Sequence, residues 1–113
     1  MSTKPLIFRN TTYKDLLSFP ADVLHDAGFQ LGKVQDGDEP DDWKPMPSVG
    51  RGVMELRLWQ SSGTYRVVYV AKFAEAVFVL HCFHKKTEKT DSRDIELAAQ
   101  RYRELVRELR DGQ

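Results

Sequence analysis

The chain has 113 residues, of which 41% are hydrophobic and 30% are charged, and its formal net charge at pH 7 is zero. This length suits one domain with a modest core, and this composition excludes disorder along the whole chain. Neutral bulk charge does not predict a nucleic-acid partner, so the distribution of charge has to be considered instead. Cys82 is the only cysteine, and no apolar run approaches the roughly 20 residues of a membrane-spanning helix. The start of the chain lacks a signal-peptide core. We therefore expect a single cytoplasmic domain, residues 1–113, with no membrane partner.

The N-terminal part of the chain predicts a short strand and two helices. Residues 5–9 (PLIFR) are a strand candidate, and residues 10–12 offer capping oxygens to a first short helix. Pro20 interrupts this helix and is suited to the first turn of the next one, over residues 20–34. The second helix has one apolar stripe at helical spacing, formed by Val23, Leu24, Ala27, Leu31 and Val34. These two segments indicate a helical hairpin.

Residues 36–52 are a long connection rich in Pro, Gly and Asp. This composition excludes a regular helix or a central strand. The acidic residues between 36 and 42 have no basic residue among them. They either keep the loop solvated or contact a basic partner. Trp43, Met46 and Val49 indicate that the loop folds back and packs.

Three strands and a last helix follow this connection. Strands are predicted over 53–59, 64–73 and 77–83, with short connections that make them an antiparallel meander. Alternation puts Glu55, Arg57 and Trp59 on one face of the first of these strands. In the second strand it puts Tyr65 and Arg66 on opposite faces. Residues 92–110 predict an amphipathic helix.

The last predicted strand runs into a cationic segment, residues 84–89 (HKKTEK). In an antiparallel meander the end of one strand lies beside the start of the preceding strand. Clustered cations repel one another unless an anion completes the site, so a phosphate is a plausible ligand. The alternative is a solvated turn whose lysines blunt a strand edge. The cationic cluster expected at this end of the sheet comprises Arg57, Arg66, Lys85 and Lys86, with His84 beside them.

The histidines and tyrosines of these strands allow more than one interpretation. His81 and His84 point to opposite faces of a strand, which is poor geometry for joint metal binding. We interpret His81 as a core histidine and His84 as a weaker candidate for proton transfer. Tyr65 and Tyr69 stack on a base or fill the core.

Four phrases carry a resemblance to a known family: KDLLSFP, AGFQLGKVQDGDEPDDWKPMPSVGRGVMELRL, TYRVVYVAKF and VFVLHCFHKKTEKT. These phrases span nearly the whole chain. Through them the chain resembles the phage-derived Gp49-like, HigB-type branch of the RelE/ParE toxin superfamily. The resemblance implies a RelE-like α+β fold, with an N-terminal helical hairpin packed on a small, mainly antiparallel β-sheet and a C-terminal helix. It also implies a toxin of a type II toxin–antitoxin system that cuts mRNA, usually on the ribosome, without a metal or cofactor. Its implied partner is a small helix-turn-helix antitoxin.

The chemistry of such an enzyme begins with the ribose 2′-OH of the RNA as nucleophile. The protein has to remove that proton, stabilise charge on the phosphate and protonate the leaving 5′-oxygen. Arginine stays protonated, so it binds phosphate, whereas a lysine crowded by cations loses its proton more easily. We expect catalytic roles for Lys85, Lys86, Arg66 and His84, and phosphate or RNA contacts from Arg57, Lys89 and Tyr65.

Two other functions fit the same sequence. A ParE-type toxin of this superfamily poisons DNA gyrase by binding it, without nuclease chemistry. A non-catalytic phage accessory protein binds RNA without cleaving it. Fold alone does not separate these three functions.

Overall fold

The computed structural model describes residues 3–61, 63–85 and 91–112 of the chain. It is a mixed α+β structure, as predicted, with a five-stranded sheet and helices near both ends of the chain. Among the described residues, no helix is long and apolar enough to cross a membrane. The elements in chain order are β1 (Leu6–Phe8), α1 (Thr12–Leu17), α2 (Ala21–Gln35), β2 (Trp43–Pro45), β3 (Val53–Gln60), β4 (Gly63–Val70), β5 (Val77–Lys85) and α3 (Ser92–Asp111).

The strands lie in the order β1-β5-β4-β3-β2. The pairs β3–β4 and β4–β5 are antiparallel, which confirms the predicted meander, and β1 runs parallel to β5 at one edge. The sequence did not predict β2, which lies within the Pro-rich connection and pairs with β3 at the other edge. Pro45 is compatible with an edge strand because a central strand would require its missing N–H group.

Helices cover both faces of the sheet, and each face has its own core. Helices α1 and α2 pack on the hairpin face, where residues such as Leu31 meet Leu56 and Val67. Helix α3 packs on the opposite, α3 face, where Leu105 and Val68 belong to one core cluster. The apolar stripes predicted for the second and third helices are therefore the surfaces that the sheet buries. The Asp91 carboxylate accepts a hydrogen bond from the Arg93 backbone N–H and so caps the start of α3.

A β-bulge changes the alternation of side chains along β5. Val68 of β4 pairs with His81, but its neighbour Tyr69 pairs with Val79, so Leu80 is an extra residue in β5. Val79 packs on the hairpin face, and strict alternation from there would send Lys85 to that face as well. Because of the extra residue, His81, Phe83 and Lys85 project on the α3 face instead, each opposite a residue of β4 that lies on that face.

Arg101 of α3 supports the bulge. Its side chain is buried, and its Nη1 donates a hydrogen bond of 2.9 Å to the carbonyl oxygen of Leu80. Its Nη2 also donates to the hydroxyl of Thr11, just before α1. An extra residue disturbs the regular ladder of backbone hydrogen bonds. A charged donor from α3 therefore binds the backbone at the point where the ladder is irregular.

We predict that Arg101→Met lowers the free energy of unfolding by about 1–3 kcal/mol, because a buried carbonyl loses its hydrogen-bond donor. Arg103→Met is the matched control on the same helix, since Arg103 is exposed, and it should change stability by less than about 0.5 kcal/mol. Urea unfolding of both variants measures the difference. Equal losses in the two variants would contradict the role given to Arg101.

Candidate nucleic-acid interface

Four neighbouring strands each contribute one cation to the α3 face of the sheet. We call Lys44 of β2, Arg57 of β3, Arg66 of β4 and Lys85 of β5 the cationic row. Arg57 lies directly opposite Arg66 in the ladder, Lys44 lies opposite Glu55, and Lys85 lies opposite Thr64. Residues that face each other across a ladder project on the same side of the sheet. The predicted meeting of Arg57, Arg66 and Lys85 at this part of the sheet is therefore observed.

Arg66 forms an ion pair inside the protein rather than at its surface. Its Nη1 lies 3.0 Å from Oε1 of Glu55, and the two side chains are 2% and 0% exposed. Its Nε also donates to the hydroxyl of Thr64 at 3.2 Å. The Lys44 ammonium approaches the same Glu55 oxygen at 3.8 Å. A fully buried carboxylate at the centre of the cationic row thus balances part of its charge.

Asp42 organises the more accessible part of the same face. One of its oxygens accepts hydrogen bonds from Nε and Nη2 of Arg57, at 3.1 and 2.9 Å. Its other oxygen accepts a hydrogen bond from the indole N–H of Trp59. The Arg57 guanidinium lies 5.8 Å from the centre of the Trp59 ring, a distance typical of cation–π contact. Asp42 therefore fixes the positions of one cation and one aromatic ring relative to each other.

Trp59 is the most exposed large hydrophobic side chain on this face, at 64%. It lies opposite Thr64, which in turn lies opposite Lys85, so all three share one rung of the sheet. Proteins that bind single-stranded nucleic acids present this arrangement, an exposed aromatic ring beside cations, to the bases that stack on it.

On the β5 side of this face, the strand lies beside the first turn of α3. Nε2 of His81 lies 2.7 Å from Oδ1 of Asp94, and its ring stacks on Phe83. His81 is buried, as the interpretation of a core histidine requires. The pKa of Asp91 is lowered, mainly by the hydrogen bond from the Arg93 backbone and also by the positive charges of Arg93 and Lys85. Lys85 is therefore close enough to the N-terminus of α3 to act on its cap.

Two of the predicted site residues do not join the row. His84 and Tyr65 lie opposite each other on the hairpin face, with their rings stacked at 4.1 Å. The expectation that His84 lies beside the clustered cations was wrong, because β5 turns it to the other side of the sheet. Tyr65 is buried among the residues that contact α1 and α2. Lys86 and Lys89, also predicted for the site, lie outside the described residues.

Sequence reasoning omitted four residues that the structure brings to this face: Asp42, Lys44, Glu55 and Trp59. For two of them the signal was present, since alternation placed Glu55 and Trp59 on the same face as Arg57. Lys44 and Asp42 were not predictable in the same way, because their positions depend on the unpredicted pairing of β2 with β3.

We predict that Glu55→Leu lowers the free energy of unfolding by about 3–5 kcal/mol, because it removes the carboxylate from a buried ion pair and leaves the Arg66 charge inside the protein. Glu55→Leu combined with Arg66→Met should recover much of that loss, since the pair then leaves no unpaired charge behind. Chemical unfolding of the two single variants and the double variant gives the coupling energy.

The control for this cycle is Glu108→Ala, which breaks a surface pair. Glu108 binds Arg9, and its side chain is 60% exposed. This change should have a much smaller effect than Glu55→Leu, because solvent screens exposed ion pairs. An additive double variant, with no recovery, would show that Glu55 and Arg66 do not depend on each other.

Comparison with known proteins gives one family. The profile of the family described as "Phage derived protein Gp49-like (DUF891)" matches residues 14–103. No curated protein and no solved structure matched the chain. The matched range contains α2, every strand except β1, and the whole cationic row. The chain belongs to the Gp49-like family of phage-derived proteins.

Proposed function

We propose that this protein is the toxin of a type II toxin–antitoxin system. In this proposal it is an endoribonuclease that cleaves mRNA on the ribosome. The observation that carries the proposal is the cationic row beside an exposed tryptophan on one face of the sheet. Membership of a phage-derived family agrees with a toxin but does not specify its activity. The resemblance of the sequence to HigB-type toxins supplies the reaction class.

The accessible cations of the row are the proposed phosphate contacts. The side chains of Lys44 and Arg57 are 38% and 28% exposed, whereas Arg66 and Lys85 are buried. Four cations of the row and the two carboxylates that pair with it, Glu55 and Asp42, leave a formal excess of two positive charges (4 − 2). A guanidinium matches the geometry of a phosphate. Arg57 is therefore the proposed clamp, and the buried cations add positive potential beneath it.

The proposed reaction uses the 2′-OH of the ribose as nucleophile. The 2′-OH gives its proton to a base as its oxygen attacks the adjacent phosphorus, the bond to the 5′-oxygen breaks, and that oxygen takes up a proton from an acid. The products are a 2′,3′-cyclic phosphate and a 5′-hydroxyl end. A lysine among other cations is the proposed acid or base. Lys85 has a position in the row, and Lys86 remains a prediction from the sequence. His84 and Tyr65 are omitted because they lie on the hairpin face.

Trp59 is the proposed stacking surface for a nucleobase next to the bound phosphate. Its hydrogen bond to Asp42 uses the N–H edge of the ring and Arg57 lies over one ring face, so the opposite face is the one proposed to stack on a base. Sequence-tolerant recognition of single strands combines such stacking with backbone charge. The arrangement favours a flexible single strand, such as an mRNA in the decoding site, over a rigid duplex.

An inhibitor is expected for such an enzyme. The resemblance suggests a small helix-turn-helix antitoxin encoded by a neighbouring gene. Binding by the antitoxin would prevent access of RNA to the cationic row. We expect co-expression of that gene to restore growth when this protein is induced.

We predict that Arg57→Ala lowers the rate of mRNA cleavage by about 10²–10³-fold, because one charged donor to the transition state is lost. Arg107→Ala is the matched control, since Arg107 is an exposed arginine of α3. Cleavage is measured with purified protein, mRNA and ribosomes, and in cells by loss of message and growth arrest.

Three results would contradict this proposal. Full cleavage by Arg57→Ala would remove the phosphate clamp from its assigned position. Salt-sensitive RNA binding by the native protein without any cleavage would support the RNA-binding accessory protein instead. A DNA damage response without loss of message would support the gyrase-binding toxin.

We predict that Trp59→Ala weakens binding of a single-stranded RNA by about 10–100-fold, corresponding to the loss of about 1–3 kcal/mol of base stacking. Trp59→Phe should retain most of the affinity because it keeps an aromatic ring. Phe29→Ala is the control, since Phe29 is similarly exposed, at 60%, but lies on α2. Fluorescence anisotropy with a labelled RNA measures the three variants. Equal binding by Trp59→Ala and the native protein would exclude a stacking role.

A further inference from the structure

A cavity of about 510 Å³ opens between the C-terminal end of α2 and the edge of the sheet formed by β2 and β3. Met54 and Tyr69, which line it, face each other across β3 and β4 and project on the hairpin face. The cavity is therefore on the opposite side of the sheet from the cationic row. Its size falls within the range of pockets that hold ligands. Its apolar walls are formed by Val34, Pro40, Trp43, Met54 and Ala71.

A buried polar group faces this cavity without a partner. Tyr69 is 3% exposed, and among the described residues its hydroxyl has no hydrogen-bond partner. Burial raises the pKa of Tyr69 to about 12, with a further contribution from the negative charge of Glu39. The hydroxyl is therefore protonated at neutral pH. The hydroxyl therefore offers both a hydrogen-bond donor and an acceptor to a ligand in the cavity.

The carboxylates at the mouth of the cavity separate into two groups. Asp36 accepts a hydrogen bond from Thr3. Further along the chain, Asp41 is bound by Gln30 and Lys33, and Asp42 is bound by Arg57 and Trp59. By contrast, Asp38 and Glu39 have no side-chain partner in the part of the chain that the structure describes. Both are exposed and both line the cavity.

Among the described residues, neither lysine of the cavity wall forms an ion pair with Asp38 or Glu39. The Lys4 ammonium donates to the carbonyl oxygens of Ala71 and Phe73. The Lys72 ammonium donates to the hydroxyl of Tyr102 on α3. The three carboxylates of the lining (Asp36, Asp38 and Glu39) outnumber these two ammonium groups, which leaves a formal charge of −1 (2 − 3) beside the apolar walls. A ligand that satisfies both features has an apolar stem and a cationic tip with several N–H donors.

We propose that this cavity is a docking site for a partner protein, which inserts an arginine side chain from an exposed segment. The methylene groups of that arginine pack between Trp43 and Met54. Its guanidinium donates hydrogen bonds to the Glu39 and Asp38 carboxylates and to the hydroxyl oxygen of Tyr69. Charge complementarity selects this occupant, because an apolar side chain leaves all three groups without a partner. The proposal is independent of the RNA chemistry on the other face.

The test uses the two tryptophans of the chain as reporters. Trp43 lines the cavity, and Trp59 lies on the α3 face. The ¹⁵N-labelled protein is titrated with the blocked peptide Ac-Gly-Arg-Gly-NH₂, and the indole N–H signals are followed by NMR. We expect a saturable shift of the Trp43 signal with little change at Trp59. The peptide in which citrulline replaces arginine has nearly the same shape without the charge, and it should bind about tenfold more weakly.

Variants locate the binding. Glu39→Gln and Tyr69→Phe should each weaken binding of the arginine peptide several-fold, while Tyr69→Phe keeps the ring that packs in the core. Glu96→Gln is the control, because Glu96 is an exposed carboxylate of α3, and it should bind like the native protein. No shift at Trp43, equal shifts at both tryptophans, or equal binding of the citrulline peptide would each overturn the proposal.

Discussion

The hydrogen bond from Arg101 to the carbonyl of Leu80 is the interaction on which the geometry of the α3 face depends. A strand has a side-chain period of two, so one extra residue exchanges the faces of everything that follows it. The bulge at Leu80 is that extra residue. Without it, Lys85 would project among α1 and α2, and the cationic row would lose its contribution from β5. A single buried guanidinium on α3 thus stabilises the backbone irregularity that brings the fourth cation to the others.

The charges of the row are compatible with folding because the same face supplies carboxylates. Arg57 and Arg66 are directly opposed across β3 and β4, an arrangement that is destabilising for like charges without compensation. Glu55 pairs with Arg66 from within the core, and Asp42 pairs with Arg57 from the connection before β2. The buried pair fixes the position of its guanidinium, whereas the outer pair leaves Arg57 partly open to solvent. Each arginine therefore has a carboxylate of its own, and the formal excess of positive charge on this face comes from the two lysines of the row, Lys44 and Lys85.

Most of the fold was predictable because each helix and long strand has a strong periodic pattern. The apolar stripe of residues 20–34 predicted α2 (Ala21–Gln35), and the alternation of 53–59 predicted β3 (Val53–Gln60). The site was predictable only in part. The predicted strand order was enough to bring Arg57, Arg66 and Lys85 to one region. The face of each residue on β5, however, depended on a bulge that no local sequence pattern predicts. His84 was misplaced for this reason. The short strand β2 was missed because its three residues (Trp43–Pro45) are held by pairing with β3 and have no periodic signal of their own.

The connection between α2 and β2 contributes side chains to both faces of the sheet. Hydrogen bonds to α2 hold this connection in place at Asp41. The Gln30 side chain donates to the Asp41 carboxylate and accepts from its backbone N–H, and Lys33 binds the same carboxylate. Before Asp41, the chain places Asp38 and Glu39 at the cavity of the hairpin face. After Asp41, it places Asp42 beside Arg57 and Trp59. Because Gln30 is buried, α2 holds Asp41 firmly, and the position of Asp42 depends on the helical hairpin across the sheet. The outer part of the cationic row is therefore built by elements of both layers, which is why no single stretch of the sequence contains it.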